Sequence, residues 1–305
     1  MCSFLPTTMW TLEELEERVI DHCGAEGIND FIIFLSRKPI NFWATEEPDG
    51  FLTDMVILVL WKLIDGGGYQ KILREVDLPF PLNHKSYQFN CNIIWRWGEK
   101  WGEHWIVWGD CEEWDEAARR IPKKGRLAKV NLWMDSFDVP MENPKGWSKK
   151  DTSFSYKLNR YGRRYMVAMD GLTGIRWVGG GYSPKVYDTT YMQLMRRELS
   201  GLLKGGRVIA DGHFTKAGEG YENTKFITPY LKPSTGKRRR SGEGIETLSK
   251  EKQRFNTAQR DLRARVEEPF GILKGIFPIF NKPWREGEIE LDGVVIMALA
   301  FHNLK

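Results

Sequence analysis

Four short apolar segments in the middle of the chain constrain its fold more than any other feature. Each has four or five residues, is rich in β-branched or aromatic side chains, and is followed directly by an aspartate or a glycine. The segments are Val130–Met134, Tyr165–Met169, Ile175–Val178 and Arg207–Ala210. Runs of this length and composition predict β-strands that end at the following aspartate or glycine, and residues 171–174 predict a hairpin turn.

Amphipathic patterns predict helices on both sides of these strands. Thr11 and Glu14 have the spacing of a capping box, which predicts that a helix begins there. The predicted helices cover residues 11–24, 52–64, 69–76, 84–98, 187–203, 246–280 and 290–303. Strands that are followed by a crossing helix, a further strand and packed helices predict a mixed α/β layer fold.

Two features of the N-terminal helices each have a DNA-binding and a structural interpretation. Helices 69–76 and 84–98 are joined by a short turn and fit a helix-turn-helix, which reads DNA in some proteins and is a common packing unit in others. Four tryptophans then follow at spacings of four, four and three residues, which places them on one helix face. They are Trp97, Trp101, Trp105 and Trp108. We interpret this stripe as an aromatic core seam between two units rather than as a surface on which bases stack.

Charge is divided unevenly along the chain. Residues 1–120 contain 11 basic and 21 acidic residues, a net charge of −10, whereas residues 121–305 contain 34 and 20, a net charge of +14. The difference predicts two domains: an α-helical N-terminal domain over 1–120 and a mixed α/β domain over 121–305. The basic excess of the second domain predicts a polyanion, and most simply DNA, as its partner.

Composition excludes several classes of protein. With 41% apolar and 28% charged residues the chain has the make-up of a globular protein. Its longest apolar runs, residues 55–61 and 294–301, are too short to cross a bilayer. No basic segment precedes an apolar one at the N-terminus, which argues against a secretory signal. The four cysteines have no paired spacing and predict reduced thiols in an intracellular protein.

Three acidic residues are candidates for a metal site. Asp135 and Asp211 directly follow two of the predicted strands, and Glu267 lies in a helical stretch further along the chain. Ligands of open α/β sheets usually bind where the carboxyl ends of the strands face one crevice. A carboxylate cluster there can hold two divalent cations about 4 Å apart, the arrangement used for in-line phosphoryl transfer. The alternative for each aspartate is a turn cap, and Asp138 and Asp170 compete for the same role.

Six motifs occur in a fixed order from about Lys129 to Asn303. They are residues 132–140 (LWMDSFDVP), 208–214 (VIADGHF), 227–230 (ITPY), 255–256 (FN), 265–274 (RVEEPFGILK) and 301–304 (FHNL). In this order they resemble the catalytic domain of Harbinger-type DDE transposases, members of the DDE superfamily endonucleases. The resemblance implies a ribonuclease-H-like fold, with Asp135, Asp211 and Glu267 as the catalytic and metal-binding triad for two Mg²⁺ or Mn²⁺ ions.

The same resemblance implies a function and its partners. The chain is expected to hydrolyse DNA at transposon ends and to join the freed ends to target DNA, as a nuclear enzyme. A separate Myb-like DNA-binding protein and a homo-oligomer are the expected protein partners. Two alternatives stay open: a domesticated, catalytically weak DNA-binding or scaffold protein, and a metal-dependent nuclease without strand transfer.

The chain departs from the family pattern at two places. Ser136 and Phe137 follow the first aspartate where the family favours Gly-Thr. Pro269 lies just after Glu267, and a proline inside a helix costs about 3 kcal/mol unless the helix kinks. Such a kink is expected either to re-aim Glu267 or to put Glu268 in its place.

Basic residues near the third motif are candidates for DNA contacts. Lys237, Arg238, Arg239 and Arg240 form a basic segment flanked by Pro, Ser and Gly, which predicts a loop that binds phosphates or acts as a nuclear import signal. The alternative is a solvated run of charges. Arg260 and Arg263 share a predicted helix with Glu267 and are predicted to contact DNA as well.

Overall fold

The computed structural model describes residues 9–40, 42, 50–221, 223–231 and 248–304. These residues form two units built from interleaved segments of the chain. The first unit contains the described parts of residues 1–107, 138–163 and 271–305, and the second contains the described parts of 108–137 and 164–270. The domain boundary at residue 120 stays a prediction.

Six helices precede the first strand, and strands and helices are mixed along the rest of the described residues. The helices are α1 (Leu12–Cys23), α2 (Ala25–Ser36), α3 (Phe51–Asp65), α4 (Tyr69–Glu75), α5 (His84–Trp105), α6 (Cys111–Arg119), α7 (Asp188–Leu194), α8 (Arg196–Leu202), α9 (Lys250–Arg263), α10 (Glu267–Ile276) and α11 (Glu288–Leu304). The strands are β1 (Leu132–Pro140), β2 (Phe154–Ser155), β3 (Arg160–Met169), β4 (Ile175–Tyr182), β5 (Arg207–Ile209) and β6 (Lys225–Ile227). None of the helices within the described residues has the length and apolar character needed to cross a membrane.

The first unit is built around helices whose starts follow from the sequence. Thr11 caps α1: its hydroxyl accepts a hydrogen bond from the Glu14 amide, and the Glu14 carboxylate accepts one from the Thr11 amide. Close approach of α5 and α11 depends on glycine, because a Cβ at Gly293 would lie 2.1 Å from the Trp95 carbonyl oxygen. Helices α4 and α5 are both present, and whether they read DNA stays a prediction.

Three of the four stripe tryptophans lie on α5. The indole N–H groups of Trp101 and Trp105 both donate to Asp30 on α2, at 2.8 and 3.0 Å. The Trp101 ring also lies 4.8 Å from the rings of Phe31 and Phe301. These contacts make Trp101 and Trp105 part of the packing within the first unit.

The six strands within the described residues form one sheet. The strand order is β2-β3-β1-β5-β6, with β4 paired to β3, and β5 is parallel to both β1 and β6. Strands β3 and β4 are antiparallel, as residues 171–174 predict. Alternate residues of β1 face different helices, since Leu132 and Met134 pack in the core that also contains α7 and α8 residues, whereas Trp133 donates to the Leu262 carbonyl on α9 at 2.9 Å. Helices therefore cover both faces of β1.

Two strand ends differ from the sequence prediction. Strand β1 continues through Asp135 to Pro140, so the prediction that this strand ends at Asp135 is wrong. Strand β4 continues beyond Gly179 to Tyr182. In both strands the pairing of backbone groups continues past the point where the apolar run stops, because a ladder needs N–H and C=O groups rather than apolar side chains. Asp211 does follow a strand end, since β5 ends at Ile209.

The predicted long helix over 246–280 is divided. Helix α9 ends at Arg263, a 3₁₀ turn covers Ala264–Val266, and α10 begins at Glu267. Pro269 is therefore the third residue of a new helix, where a backbone N–H has no partner within the helix in any case. The expected penalty for an interior proline does not apply, and the chain changes its helical geometry before Glu267 rather than after it.

Candidate active site

Strands β1 and β5, which carry or precede the two candidate aspartates, are parallel neighbours. Leu132 pairs with Val208 and Trp133 with Ile209. Extended by two residues, the same register would place Asp135 opposite Asp211, on strands about 4.8 Å apart. The Asp211 backbone is still extended, with φ −75° and ψ −179°, although the paired residues of the two strands end at Trp133 and Ile209.

Alternate residues of β1 contact successive parts of α9 and α10. Asp135 lies on the same side of the strand as Trp133, and its Oδ2 accepts a 2.9 Å hydrogen bond from Nη1 of Arg263. Phe137, two residues later, packs its ring 4.7 Å from that of Phe270 on α10. This contact holds the first turn of α10 against the strand. Phe137 thus has a structural role at one of the positions where the sequence departs from the family pattern.

Arg263 joins the first and third candidate carboxylates. Its Nη2 donates to Oε1 of Glu267 at 2.9 Å while Nη1 binds Asp135. The side chains of Arg263 and Asp135 are 21% and 16% exposed, whereas Glu267 is 59% exposed. A single guanidinium therefore pairs with both carboxylates, which leaves one net negative charge, and it bonds to one oxygen of each. Arg263 was predicted to contact DNA, and here its two terminal nitrogens bind protein carboxylates.

Asp211 has a capping role at the turn that follows β5. It precedes a 3₁₀ turn over Gly212–Phe214, and its Oδ1 accepts a 2.8 Å hydrogen bond from the His213 amide. The turn-cap interpretation therefore holds for one oxygen of this carboxylate. A cap and a metal ligand are compatible, because a carboxylate accepts about four hydrogen bonds or coordinate bonds in all.

The two competing aspartates have structural partners. Asp138 is buried, and its Oδ2 accepts a 2.5 Å hydrogen bond from the Ser155 hydroxyl. Asp170 accepts hydrogen bonds from the Leu172 and Gly174 amides in the β3–β4 turn, and it forms an ion pair with Arg176 at 2.7 Å. These contacts give both aspartates a structural role that does not require a metal site.

Asp188 is a fourth acidic residue of the site, and the sequence pattern does not identify it. It is the first residue of α7 and is 7% exposed. Burial raises the pKa of its carboxyl, and the neighbouring Asp211 adds to the increase, whereas the Arg164 guanidinium and a hydrogen bond with Ser136 act against it. Acidic residues with a raised pKa beside other carboxylates are common in functional sites. In sequence it resembles any acidic residue in the first turn of a helix.

The donor chemistry of the site fits Mg²⁺ or Mn²⁺, which prefer carboxylate oxygens. Within the described residues, however, no group of three or more acidic, histidine or cysteine side chains has the arrangement of a metal site. An ion that uses Oδ2 of Asp135 and Oε1 of Glu267 would compete with the Arg263 guanidinium, which bonds to both oxygens.

Arg260 and the basic segment Lys237–Arg240 are the remaining residues predicted to contact DNA. Arg260 lies on α9, its side chain is 72% exposed, and it pairs with Asp261 at 3.1 Å. Lys237, Arg238, Arg239 and Arg240 lie outside the described residues.

A comparison with protein families identifies the family of this chain. Residues 134–303, more than half of the 305-residue chain, match the family described as DDE superfamily endonuclease. The chain belongs to this family. The match begins one residue before Asp135 and includes Asp211 and Glu267. Searches of curated proteins and of solved structures found no match. Membership of the DDE superfamily endonucleases supports a nuclease or transposase function and DNA as the substrate.

Proposed function

We propose that this DDE superfamily endonuclease is a Harbinger-type transposase with a ribonuclease-H-like catalytic region. Asp135, Asp211 and Glu267 are its proposed catalytic residues and the ligands of two Mg²⁺ or Mn²⁺ ions. The observation that carries the proposal is the Arg263 bridge between Asp135 and Glu267, and the parallel register of β1 and β5 supports Asp211 as the third member.

The proposed reaction has two steps. Water forms a bond to phosphorus at a transposon end, and the broken phosphodiester bond leaves a free 3′-hydroxyl. That hydroxyl then attacks a phosphodiester of the target DNA, displaces the 3′-oxygen of the target strand, and joins the two DNAs. Divalent cations bound by carboxylates supply an activated nucleophile and stabilise the charge that develops on the phosphate.

The chain's own side chains have defined tasks in this scheme. Arg263 keeps Asp135 and Glu267 together by offsetting the repulsion between them, since it bonds to each at 2.9 Å. When DNA and metal bind, its guanidinium is free to move to a phosphate, which is the anion that its planar fork also fits. Arg260 and the basic segment Lys237–Arg240 are the further proposed DNA contacts.

Partners and location are part of the same proposal. The sequence resemblance supports a separate Myb-like protein that reads the transposon ends and a homo-oligomer that brings two ends together. The net charge of +14 over residues 121–305 supports DNA as the polyanion that this part of the chain binds. Action on chromosomal DNA requires a nuclear location, for which the Lys237–Arg240 segment is the proposed import signal.

A cleavage assay with supercoiled plasmid tests the proposal. We expect the purified chain to nick the plasmid with Mn²⁺ or Mg²⁺ and to lose this activity when EDTA removes the metal. With an excess of precut transposon ends, joined products are expected as well. Nicks without joined products would leave a metal-dependent nuclease. The absence of both products with either metal, in the presence of a Myb-like partner, would contradict the enzymatic function.

A catalytically weak DNA-binding or scaffold protein is the second candidate function. The observation that favours it is the Arg263 bridge, because a guanidinium bonded to Asp135 and Glu267 competes with a cation for the same oxygens. Under this alternative the bridge is a permanent ion pair that stabilises the fold. Under the first proposal it is a temporary one.

Arg263→Ala separates the two candidates. Each partly exposed ion pair contributes about 0.2–1 kcal/mol, so the loss of both is expected to lower the half-saturating Mn²⁺ concentration roughly twofold to thirtyfold, measured by nicking rate. Arg260→Ala, one turn earlier on α9, removes the same charge without touching the carboxylates and should leave that concentration unchanged. A scaffold protein would show no metal-dependent nicking in either variant, and Arg263→Ala would only lower its melting temperature.

A further inference from the structure

An open cavity of about 630 Å³ lies beside strand β6 in the second unit. Its basic lining residues are Arg126, Lys129 and Lys225, and its aromatic ones are Phe226, Tyr230 and Phe255. No acidic residue lines it among the described residues. The volume lies within the range of roughly 300–1,000 Å³ that is usual for pockets that bind small ligands. Cations combined with aromatic rings are the lining expected for a nucleotide, which has a phosphate and a flat base.

The aromatic side of the cavity is held in place by a specific contact. Asn256 on α9 forms two hydrogen bonds with the backbone of Tyr230, one to its carbonyl oxygen and one from its amide, both 2.8 Å long. The Phe255 ring lies 5.2 Å from the Tyr230 ring in an edge-to-face arrangement. The motifs at 227–230 and 255–256 therefore build this wall together. Neither motif supplies a candidate metal ligand.

The basic side of the cavity is exposed to solvent. Arg126, Lys129 and Lys225 are all exposed residues. Arg126 also forms a hydrogen bond with the Tyr230 hydroxyl, so one of the cations is already positioned at the ring. Three cations with no neighbouring acid in the lining attract phosphate groups and not a neutral or positively charged ligand.

The cavity adjoins the candidate active site through the sheet. Strand β6 is at the edge of the sheet, and its neighbour is β5. The Ile227 carbonyl accepts a 3.2 Å hydrogen bond from the Ala210 amide, one residue before Asp211. The Gln259 side chain on α9 donates to the carbonyls of both Ala210 and Ile227, at 2.7 and 3.4 Å. A DNA strand bound in the cavity is thus only one strand of the sheet away from the second candidate aspartate.

We propose that this cavity binds an unpaired nucleotide of the DNA substrate, next to the phosphodiester that is cut. Lys129 and Lys225 contact the flanking phosphates, and the base stacks on the ring of Tyr230. A paired base cannot do this, because its two faces are already stacked within the duplex. The inference rests on the proposed function for the identity of the substrate, and it adds a preference for locally single-stranded DNA.

Binding measured without metal tests this inference separately from catalysis. The probe is fluorescein-labelled oligothymidylate of roughly 12 nucleotides, within the footprint of about 4–16 nucleotides of known single-strand binders, and fluorescence anisotropy is read in EDTA. The wild-type chain is expected to bind it more tightly than a duplex of equal length. In Lys129→Ala/Lys225→Ala the Kd is expected to rise about tenfold, and the slope of log K against log salt to fall by about 1.4, or 0.7 for each lost phosphate contact.

A control variant and an altered probe identify the cause of any change. Lys204→Ala/Lys216→Ala removes two exposed lysines of the same unit that do not line the cavity, and its Kd is expected to stay within about twofold. Stacking is tested with Tyr230→Leu, which should bind oligothymidylate at least about fivefold more weakly. The same variant should bind an abasic oligonucleotide as the wild-type chain does.

Two outcomes would overturn the inference: unchanged single-strand affinity in the double lysine variant, or undiminished preference of Tyr230→Leu for bases over abasic residues. Circular dichroism melting identifies any variant that has lost its fold. Intact binding by a chain that cuts no DNA would overturn the proposed function and leave the cavity inference standing. If the chain cut DNA but its cavity variants bound single strands normally, the cavity inference would be overturned and the proposed function would stand.

Discussion

Replacing Asp211 with asparagine is expected to reduce metal-dependent DNA cleavage at least about 100-fold, since even residues that only support a metal ligand cost about 10–100-fold when they are changed. The substitution is nearly isosteric, and the amide oxygen of asparagine can still accept the hydrogen bond that Asp211 accepts from the His213 amide. The cap is therefore kept while the negative charge is lost. The measurement is the initial rate of plasmid nicking at saturating Mn²⁺.

Asp261→Asn is the matched control for this variant. Asp261 lies on α9 and is 62% exposed, so its substitution makes the same change in charge away from the candidate carboxylates. Its nicking rate is expected to stay within about twofold of the wild-type rate, as is usual for surface substitutions with small effects. Equal melting temperatures would show that both variants fold. If Asp211→Asn cut DNA at the wild-type rate, Asp211 would be a turn cap only, and the proposed triad would be wrong.

Local patterns in the sequence identify most elements on which the site is built. The capping box of Thr11 and Glu14 depends on residues three apart, and the hairpin between β3 and β4 depends on five consecutive ones, Asp170–Gly174. Both can be predicted because every partner lies within one turn of chain. The mixed α/β fold class is predicted in the same way, from short runs rich in β-branched or aromatic residues and from longer amphipathic runs.

Long-range contacts set the details that the sequence pattern does not contain. The Arg263–Asp135 pair joins residues 128 positions apart, and no local periodicity relates them. Asp188 reaches the site only because α7 lies next to the residues around Asp211 and Ser136. The continuation of β1 past Asp135 likewise depends on neighbouring strands that supply partners for its backbone. These features become visible only when the register of the sheet is known.

The break between α9 and α10 decides which glutamate bonds to Arg263, the partner of Asp135. The sequence leaves Glu267 and Glu268 as alternatives because Pro269 was expected to kink the helix after them. In the structure α10 begins at Glu267, and Glu267 bonds to Arg263. Successive residues of a helix point about 100° apart, so the two side chains leave α10 in different directions. Only the first is directed toward the guanidinium that binds Asp135.

Glu267→Gln and Glu268→Gln form a matched pair that tests this choice. Both glutamates are exposed residues of the same helical turn, and both substitutions remove one negative charge with little change in volume. We expect Glu267→Gln to lower the rate of DNA cleavage at least about 100-fold, on the same reasoning as for Asp211. Glu268→Gln is expected to change it less than about twofold, as surface substitutions usually do.

The pair of rates distinguishes three site arrangements. Loss of cleavage in Glu268→Gln alone would mean that α10 rotates when metal and DNA bind and that Glu268 becomes the ligand. Partial loss in both would mean that either carboxylate can serve, which the exposed position of the two side chains permits. Loss in Glu267→Gln alone would support the arrangement proposed above. In that case Phe137 becomes the next residue to test, because its contact with Phe270 holds the first turn of α10, and with it Glu267, against the strand that carries Asp135.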